Sequence, residues 1–167
     1  MITPPNIGKN VDAILLEMGN AFGEYVRAIG YRGICDVDCI LSLDGVLIAT
    51  ESNFRRTGGT YLDALVRELR GDDYERSVCW VADVKDAGAM ISFEDATKLL
   101  RNDGIGYNHR TGVGAVLTAD TVSLDGKWRY LIIAKDAGHA LELEDRLQFN
   151  YLGCSVLPSK HSSIRER

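Results

Sequence analysis

The first thirty residues carry apolar side chains at the spacing of one helical face. This periodicity predicts a helix from Val11 to Ile29, with Asn10 as its N-cap and Gly30 as its end. The apolar positions that define the face are Val11, Ile14, Leu15, Met18, Phe22, Val26 and Ile29.

Two segments rich in β-branched and small apolar residues come next, over Arg32–Ser42 and Val46–Thr50. They predict two strands. The Asp44-Gly45 pair between them predicts a two-residue type I′ turn, because both central residues of that turn need a positive φ. The segment is therefore expected to be an antiparallel hairpin.

A second amphipathic segment follows the hairpin after a loop over Arg55–Gly59. It predicts a helix from Thr60 to Leu69. Thr60 is the expected N-cap, and Gly71 is the expected end of the helix.

The second half of the chain has a different order of elements, β-α-β-β-α. The predicted elements are a strand over Ser77–Val84, a helix over Ser92–Asn102 with a capping-box-like start, strands over Gly114–Ser123 and Trp128–Ala134 joined around Asp125-Gly126, and a helix over Ala137–Tyr151. Two helices packed on one face of a small sheet would bury the apolar positions, so the expected fold class is α+β.

The patterns divide the chain near residues 71–76. We expect one domain over residues 1–73, which contains the hairpin, and an α+β domain over residues 74–153. The last residues, 154–167, are a polar tail that we expect to fray.

Composition narrows the function classes. The chain has 167 residues, of which 46% are hydrophobic and 26% charged, and this composition is typical of an ordinary globular protein. Its net charge of −5 argues against a nonspecific nucleic-acid binder. No apolar run approaches the roughly 18 residues of a membrane span, and the polar start with Pro4 and Pro5 is unlike a signal peptide. The four cysteines form no C-x-x-C pair, which favours reduced thiols in a cytoplasmic protein.

The predicted turn sets oxygen-bearing side chains opposite each other across the hairpin. The opposed pairs are Asp38 with Glu51 and Asp36 with Asn53. Because side chains alternate along a strand, these four share one face with Arg55 at its edge.

This face is electrostatically unfavourable without a partner. Like charges directly opposite in an antiparallel pair destabilise it by about 0.2–1 kcal/mol. A divalent cation would compensate, and Mg²⁺ prefers hard oxygen ligands such as the carboxylates of Asp38 and Glu51 and the amide oxygen of Asn53. Arg55 would then face phosphate oxygens, which suit its fork of donors. The alternative is an ordinary solvated acidic face.

The order and spacing of these residues resemble the ATP-grasp superfamily, which includes the D-alanine–D-alanine ligases. The matching positions are Gly30-Tyr31-Arg32-Gly33, Asp38, the Asp44-Gly45 turn, Glu51-Ser52-Asn53 and Arg55. The resemblance implies that Asp38 and Glu51 bind Mg²⁺ (or Mn²⁺) against ATP, with Glu51 bridging two ions and Asn53 completing the second site. It also implies that Arg55 is catalytic and steadies an acyl-phosphate and the oxyanion of a tetrahedral intermediate.

A narrower resemblance is to pheganomycin-type peptide ligases. The segment Glu51–Thr60 is similar to their E-x-N-x-R-x-T-G-G-T segment, and Asp103–Tyr107 and Thr111–Gly114 are similar to parts of their C-terminal domain. The implied function is an ATP-dependent carboxylate–amine ligase: a carboxylate is phosphorylated and an amine then displaces phosphate.

The loop before the second helix is a candidate anion site. Arg55, Arg56, Thr57 and Gly58 place two guanidiniums and a flexible turn next to a helix N-terminus, where N–H groups and the helix dipole favour an anion. We expect this loop to hold a carboxylate or acyl-phosphate. An ordinary strand-to-helix connection with solvated arginines is the alternative.

ATP-grasp enzymes clasp ATP between two subdomains. The resemblance implies that residues 1–73, with a helix, the hairpin and a second helix, are a portion of the C-terminal subdomain, whereas the lysines and glycine-rich flap of the N-terminal subdomain have no match here. Ahead of Asp36 the only lysine is Lys9. Three interpretations stay open: part of a larger ligase, a half-enzyme that works with a separate ATP-binding subunit or by self-association, and a non-catalytic binding or scaffold domain.

Overall fold

The computed structural model describes residues 2–3, 7–88 and 91–153, and these form a mixed α+β architecture, as predicted. In chain order the elements are β1 (Ile2–Thr3), α1 (Lys9–Ala28), β2 (Asp36–Leu41), β3 (Leu47–Asn53), α2 (Gly58–Arg70), a 3₁₀ turn (Tyr74–Arg76), β4 (Cys79–Asp86), α3 (Phe93–Asn102), β5 (Gly114–Ala119), α4 (Val122–Asp125), β6 (Lys127–Ala134) and α5 (Ala137–Asn150).

The chain divides into two compact units, and α2 contributes residues to both. Of the described residues, 7–65 belong to the first unit, and 2–3, 66–88 and 91–153 belong to the second. The domain boundary near residues 71–76 stays a prediction.

The first helix of the first unit begins two residues earlier than expected. Gly8, with a φ of 91°, takes the N-cap position, and its carbonyl accepts hydrogen bonds from the N–H groups of Val11 and Asp12, both at 3.1 Å. The prediction of Asn10 as N-cap is therefore wrong, because Asn10 lies inside the first turn. The predicted end is confirmed: Gly30 has a φ of 95° and donates to the carbonyl of Arg27.

An aromatic cluster ties the end of the hairpin to α1. The Phe54 ring centroid lies 5.8 Å from that of Phe22 and 5.1 Å from that of Tyr31. The Tyr31 hydroxyl also donates to the carbonyl of Ile34 at 2.7 Å. The first strand was predicted to start at Arg32, but it starts at Asp36. The backbone before it is irregular, because Gly33 has a φ of 153° and a Cβ there would lie only 2.9 Å from the Tyr31 hydroxyl oxygen.

The second unit is built on a four-stranded antiparallel sheet. The strand order is β1-β4-β6-β5. β6 lies between two partners, and Trp128, Leu131, Ile132 and Ile133 on it are fully buried. The sequence did not predict β1, because two residues carry no readable periodicity.

Two helices pack on one face of this sheet, as predicted. α3 and α5 share one apolar cluster with alternate residues of β4 and β6. Its buried members are Cys79, Val81, Ala96, Leu100, Ile105, Ala115, Val122, Trp128, Tyr130, Ile132, Ala134, Ala140, Leu143, Leu147 and Leu152. Ser92 is confirmed as the cap of α3, since its Oγ accepts from the N–H of Asp95 at 3.0 Å. The Asp136 carboxylate caps α5 in the same way.

The segment between β5 and β6 differs from the prediction. β5 ends at Ala119, and residues 122–125 form a helical turn instead of continuing the strand to Ser123. Gly126, with a φ of 66°, ends that turn, and the Arg129 guanidinium donates to the Asp125 carboxylate at 2.6 Å. Local hydrogen bonds of this kind compete with strand pairing and are hard to see in the hydrophobic pattern.

The remaining predictions concern the cysteines, the polar tail and membrane spans. Cys35, Cys39 and Cys79 are free thiols, whereas Cys154 and the polar tail lie outside the described residues. Among the described helices, none is long and apolar enough to cross a membrane.

Candidate metal centre

The hairpin turn has three residues, and the prediction of a two-residue type I′ turn is wrong. The N–H of Ser42 donates to the carbonyl of Val46 at 2.9 Å, so Leu43, Asp44 and Gly45 form the loop. Only glycines have a positive φ among the described residues, which excludes the left-handed conformation that a type I′ turn requires of Asp44. Gly45, with a φ of 83°, takes the single left-handed position of a three-residue loop.

A β-bulge corrects the register that this longer turn displaces. Near the turn the pairing is one residue away from the predicted register: the pairs are Leu41 with Leu47, Ile40 with Ile48 and Cys39 with Ala49. Thr50 is the extra residue, and its Oγ1 donates to the carbonyl of Asp38 at 3.0 Å. Beyond the bulge the predicted pairs are confirmed: Asp38 lies opposite Glu51, and Asp36 lies opposite Asn53.

The paired residues meet on one face of the hairpin. Asn53 is 8% exposed, and its Nδ2 donates to Asp38 Oδ2 at 3.4 Å, a contact across the strands. Asp36 Oδ2 accepts a hydrogen bond from Thr57 Oγ1 at 2.9 Å. The other oxygen, Asp36 Oδ1, is buried and has no hydrogen-bond partner among the described residues. A buried acceptor without a partner is uncommon, and a cation or water would satisfy it.

The remaining charged groups of this face are exposed. The Glu51 side chain makes no hydrogen bond or ion pair with any described residue. The Arg55 guanidinium donates only to the carbonyl of Arg56, at 3.5 Å, and pairs with no carboxylate in the described part of the chain. Two carboxylates therefore oppose each other, and the nearby guanidinium does not neutralise them.

The loop before α2 is attached to the same face. Thr57 connects it to Asp36, and Thr60 fixes its shape: Thr60 Oγ1 accepts from the N–H of Thr57 at 2.8 Å and donates to the carbonyl of Thr57 at 2.9 Å. Because α2 begins at Gly58, Thr60 lies in its first turn, and the prediction that Thr60 is the N-cap is wrong. In a capping box, the side chain of the third helical residue accepts from the backbone N–H of the N-cap residue, and the bond from Thr57 N–H to Thr60 Oγ1 is of this kind. The first turn holds no acidic residue, so an anion there meets no like charge from the helix.

The predicted metal ligands form a partial ligand set. Across residues 2–3, 7–88 and 91–153, no three His, Cys, Asp or Glu side chains converge so as to hold a metal ion. Asp38 and Glu51 with the Asn53 amide supply two carboxylates and one neutral oxygen. Mg²⁺ commonly takes one or two carboxylates and completes its shell with water and phosphate oxygens. The donor set and the unsatisfied Asp36 Oδ1 therefore fit a divalent ion.

Three features of this region are absent from the predictions. Two of them are the bulge at Thr50 and the hydrogen bond from Thr57 to Asp36. Both depend on how the folded backbone brings distant residues together, so no sequence pattern predicts them. The anchoring of Phe54 did have a signal. It lies between Asn53 and Arg55, and strand alternation turns it to the opposite, apolar face.

Comparison with known families supports part of the resemblance. The family described as the PGM1 C-terminal domain matches residues 95–147, about a third of the chain, which run from α3 into α5. The match supports a C-terminal part of an ATP-grasp-related peptide ligase in general terms. It does not include the hairpin. No curated protein matches the chain.

Proposed function

We propose that this chain is the metal-binding C-terminal part of an ATP-dependent carboxylate–amine ligase, of the pheganomycin-type peptide ligase kind. The observation that carries the proposal is the hairpin face on which Asp38 opposes Glu51 and Asn53 contacts Asp38. The match of residues 95–147 to the PGM1 C-terminal domain supports it from a separate part of the sequence.

In this proposal Asp38, Glu51 and Asn53 hold Mg²⁺ or Mn²⁺. A metal ion bound there would supply positive charge against the phosphates of ATP. The Asn53 amide donates through its nitrogen to Asp38, which leaves its oxygen as the ligand atom in this proposal. Asp36 holds the loop through Thr57 and so fixes the position of Arg55 and Arg56 relative to the carboxylates.

Arg55 and the loop Arg55–Gly58 bind the anionic groups of the reaction. A substrate carboxylate attacks the γ-phosphorus of ATP, which yields an acyl-phosphate and ADP. An amine then attacks the acyl carbon, and phosphate leaves as the amide forms. Arg55 stabilises the acyl-phosphate and the oxyanion of the tetrahedral intermediate, because its donors are not bound to any carboxylate in the described residues.

A complete enzyme of this type needs an ATP-binding part that the chain does not visibly contain. The hairpin offers an exposed apolar surface, with Ile40 at 58%, Ile48 at 51% and Leu43 fully exposed. A two-stranded hairpin with such a surface is only marginally stable by itself. We therefore infer that it is covered by an ATP-grasp N-terminal lobe, on the same or a separate polypeptide, or by a second copy, in a cytoplasmic enzyme.

Metal-dependent thermal stabilisation tests the proposal. At a metal concentration about ten times the Kd, the gain in unfolding free energy is about 1.4 kcal/mol. For a chain of this size that shifts Tm by roughly 2–4 °C per kcal/mol. We expect millimolar Mg²⁺ or Mn²⁺ to raise Tm and ADP to increase the rise. The Asp38→Asn variant should lose the rise, whereas Glu17→Gln, a matched change on α1, should keep it.

The alternative is a non-catalytic scaffold, which the lack of a three-acid cluster in the described residues would permit. No metal-dependent change in Tm at any millimolar concentration would favour that alternative. In the complete enzyme, Arg55→Ala should reduce kcat strongly and leave the free energy of unfolding within about 0.5 kcal/mol of the parent, as exposed substitutions usually do. An unchanged kcat would remove Arg55 from the mechanism.

A further inference from the structure

Tyr31 lies directly after α1, and the end of that helix fixes its backbone. Gly30, with a φ of 95°, donates to the carbonyl of Arg27 at 3.1 Å, and the N–H of Tyr31 donates to the carbonyl of Val26 at 3.0 Å. These two bonds form a Schellman motif, a common glycine-ended helix terminus. Val26 is only 4% exposed, so the motif is attached to a buried residue of α1. The end of α1 therefore determines the point from which the Tyr31 side chain starts.

The Tyr31 side chain contacts the chain next to both strands of the hairpin, at the open end. Its hydroxyl donates to the carbonyl of Ile34 at 2.7 Å, and Ile34 lies two residues before the start of β2. Its ring meets that of Phe54 edge to face, with the centroids 5.1 Å apart and the planes at 79°, and Phe54 directly follows β3. One side chain therefore joins the start of β2 to the end of β3.

Gly33 and Phe22 support this arrangement. A Cβ on Gly33 would lie 2.9 Å from the Tyr31 hydroxyl oxygen, which is closer than a side chain tolerates, so the hydroxyl can take this position because residue 33 is a glycine. Phe22, on α1, contacts the Phe54 ring as well, with the centroids 5.8 Å apart. The contact between Tyr31 and Phe54 is thus part of a small aromatic cluster at the end of the hairpin.

The ligands of the proposed metal site lie at this open end. Asn53 directly precedes Phe54, and Asp38 follows Ile34 by four residues and pairs across the strands with Glu51. The turn is at the other end of the hairpin, and a two-stranded hairpin is only marginally stable by itself. Repulsion between the opposed carboxylates of Asp38 and Glu51 further favours separation of the strands. A contact that joins the two strands at the open end therefore bears on the geometry of the ligands.

We propose that Tyr31 is a positioning residue for the metal site, and that it holds the open end of the hairpin at the strand separation at which Asp38 and Asn53 bind one ion. It acts through the carbonyl of Ile34 and the ring of Phe54. Loss of the hydroxyl should release the start of β2 and keep the ring contact, whereas loss of the ring should release both contacts. The inference rests on the proposed function, because the ligands are those of that site.

The Mn²⁺ affinity of the full chain tests the positioning role. Binding is followed by the loss of the EPR signal of free Mn²⁺, and the Asp38→Asn variant supplies the baseline for binding elsewhere. We expect Tyr31→Phe to weaken Mn²⁺ binding by about 2- to 12-fold, the factor that corresponds to the net value of one hydrogen bond, and Tyr31→Leu to weaken it further. Tyr25→Phe and Tyr25→Leu, matched changes at an exposed tyrosine of α1, should leave the affinity unchanged.

Hydrogen exchange in EDTA tests the same contact without metal. If the hydroxyl bond holds the start of β2, the protected amides of residues 36–38 and 51–53 should exchange faster in Tyr31→Phe than in the parent. The N–H of Ser42, which donates to the carbonyl of Val46 next to the turn, is the internal reference and should exchange at the parent rate. Retained dispersion of the amide spectrum confirms that each variant is folded.

The failure of this inference and the failure of the proposed function give different results. If the parent binds no more Mn²⁺ than Asp38→Asn does, the metal site itself is refuted, and the positioning role with it. If the parent binds Mn²⁺ and both Tyr31 variants keep its affinity while they lose stability in urea, Tyr31 has a structural role only, and the inference alone is overturned. Unchanged exchange at the open end of the hairpin in Tyr31→Phe would overturn it as well.

Discussion

Replacing Glu51 by Gln should have opposite effects on the stability of the protein without and with a divalent metal. Glu51 is exposed, has no side-chain partner in the described residues, and lies directly opposite Asp38 across the hairpin. The substitution removes one of two facing negative charges while keeping nearly the same shape. It therefore tests the electrostatics of the hairpin without creating a cavity or leaving a buried group unsatisfied.

The expected magnitude follows from that geometry. Without metal, relief of the repulsion between Glu51 and Asp38 should stabilise the protein by about 0.2–1 kcal/mol, the range for opposed pairs on a sheet. With metal, the parent gains about 1.4 kcal/mol at ten times the Kd, and the variant should lose most of this gain because it lacks one carboxylate ligand. The order of stabilities should therefore reverse when metal is added.

Urea denaturation of the parent and of Glu51→Gln, in EDTA and in millimolar MgCl₂, provides the assay. The ionic strength must be matched with potassium chloride, since salt alone screens the repulsion between exposed charges. Glu17→Gln, on the exposed surface of α1, is the control, and it should show neither effect. If Glu51→Gln is less stable than the parent in EDTA, or if it keeps the full gain from Mg²⁺, the reasoning is wrong.

Three further predictions concern the supports of the site and of the sheet. Thr57→Val removes the hydroxyl that donates to Asp36, so urea denaturation should show a loss of about 1–3 kcal/mol, whereas Thr57→Ser should lose much less. Gly45→Ala forces a side chain into a φ of 83° and should cost about 1–2 kcal/mol in the same assay; an unchanged midpoint would contradict the three-residue turn. Burial raises the pKa of Asp83, but hydrogen bonds from Lys85 and a backbone N–H outweigh it, and the net pKa lies below 3.8. The stability from Asp83 is thus present above pH 3.8 and lost as pH falls through the lowered pKa, so Asp83→Asn should flatten that part of the stability profile.

Local patterns predicted the elements well where a strong period or a cap defined them. The helix that ends at Gly30 and the cap at Ser92 were both predicted, because glycine conformation and side-chain capping act within a few residues. The two-residue strand β1 and the helical turn over residues 122–125 were missed, since each is too short to show a period.

The hairpin shows a different limit of sequence reasoning. The pairing of Asp38 with Glu51 is as predicted, although the two-residue turn from which it was deduced does not exist. The extra loop residue and the bulge at Thr50 offset each other, and the pairing beyond them is preserved. A bulge is set by the twist and pairing of both strands, so neither strand's own pattern reveals it. The contact of Thr57 with Asp36, 21 residues apart, was missed for a similar reason.

Paramagnetic broadening by Mn²⁺ tests the metal site most directly. Mn²⁺ added well below stoichiometric amounts should broaden the backbone amide signals of Asp38, Glu51 and Asn53 before all others, and excess Mg²⁺ should restore them. The Asp38→Asn variant should not show this pattern. Broadening that spreads evenly over exposed acidic residues, or that Mg²⁺ does not reverse, would contradict a divalent-metal site on the hairpin.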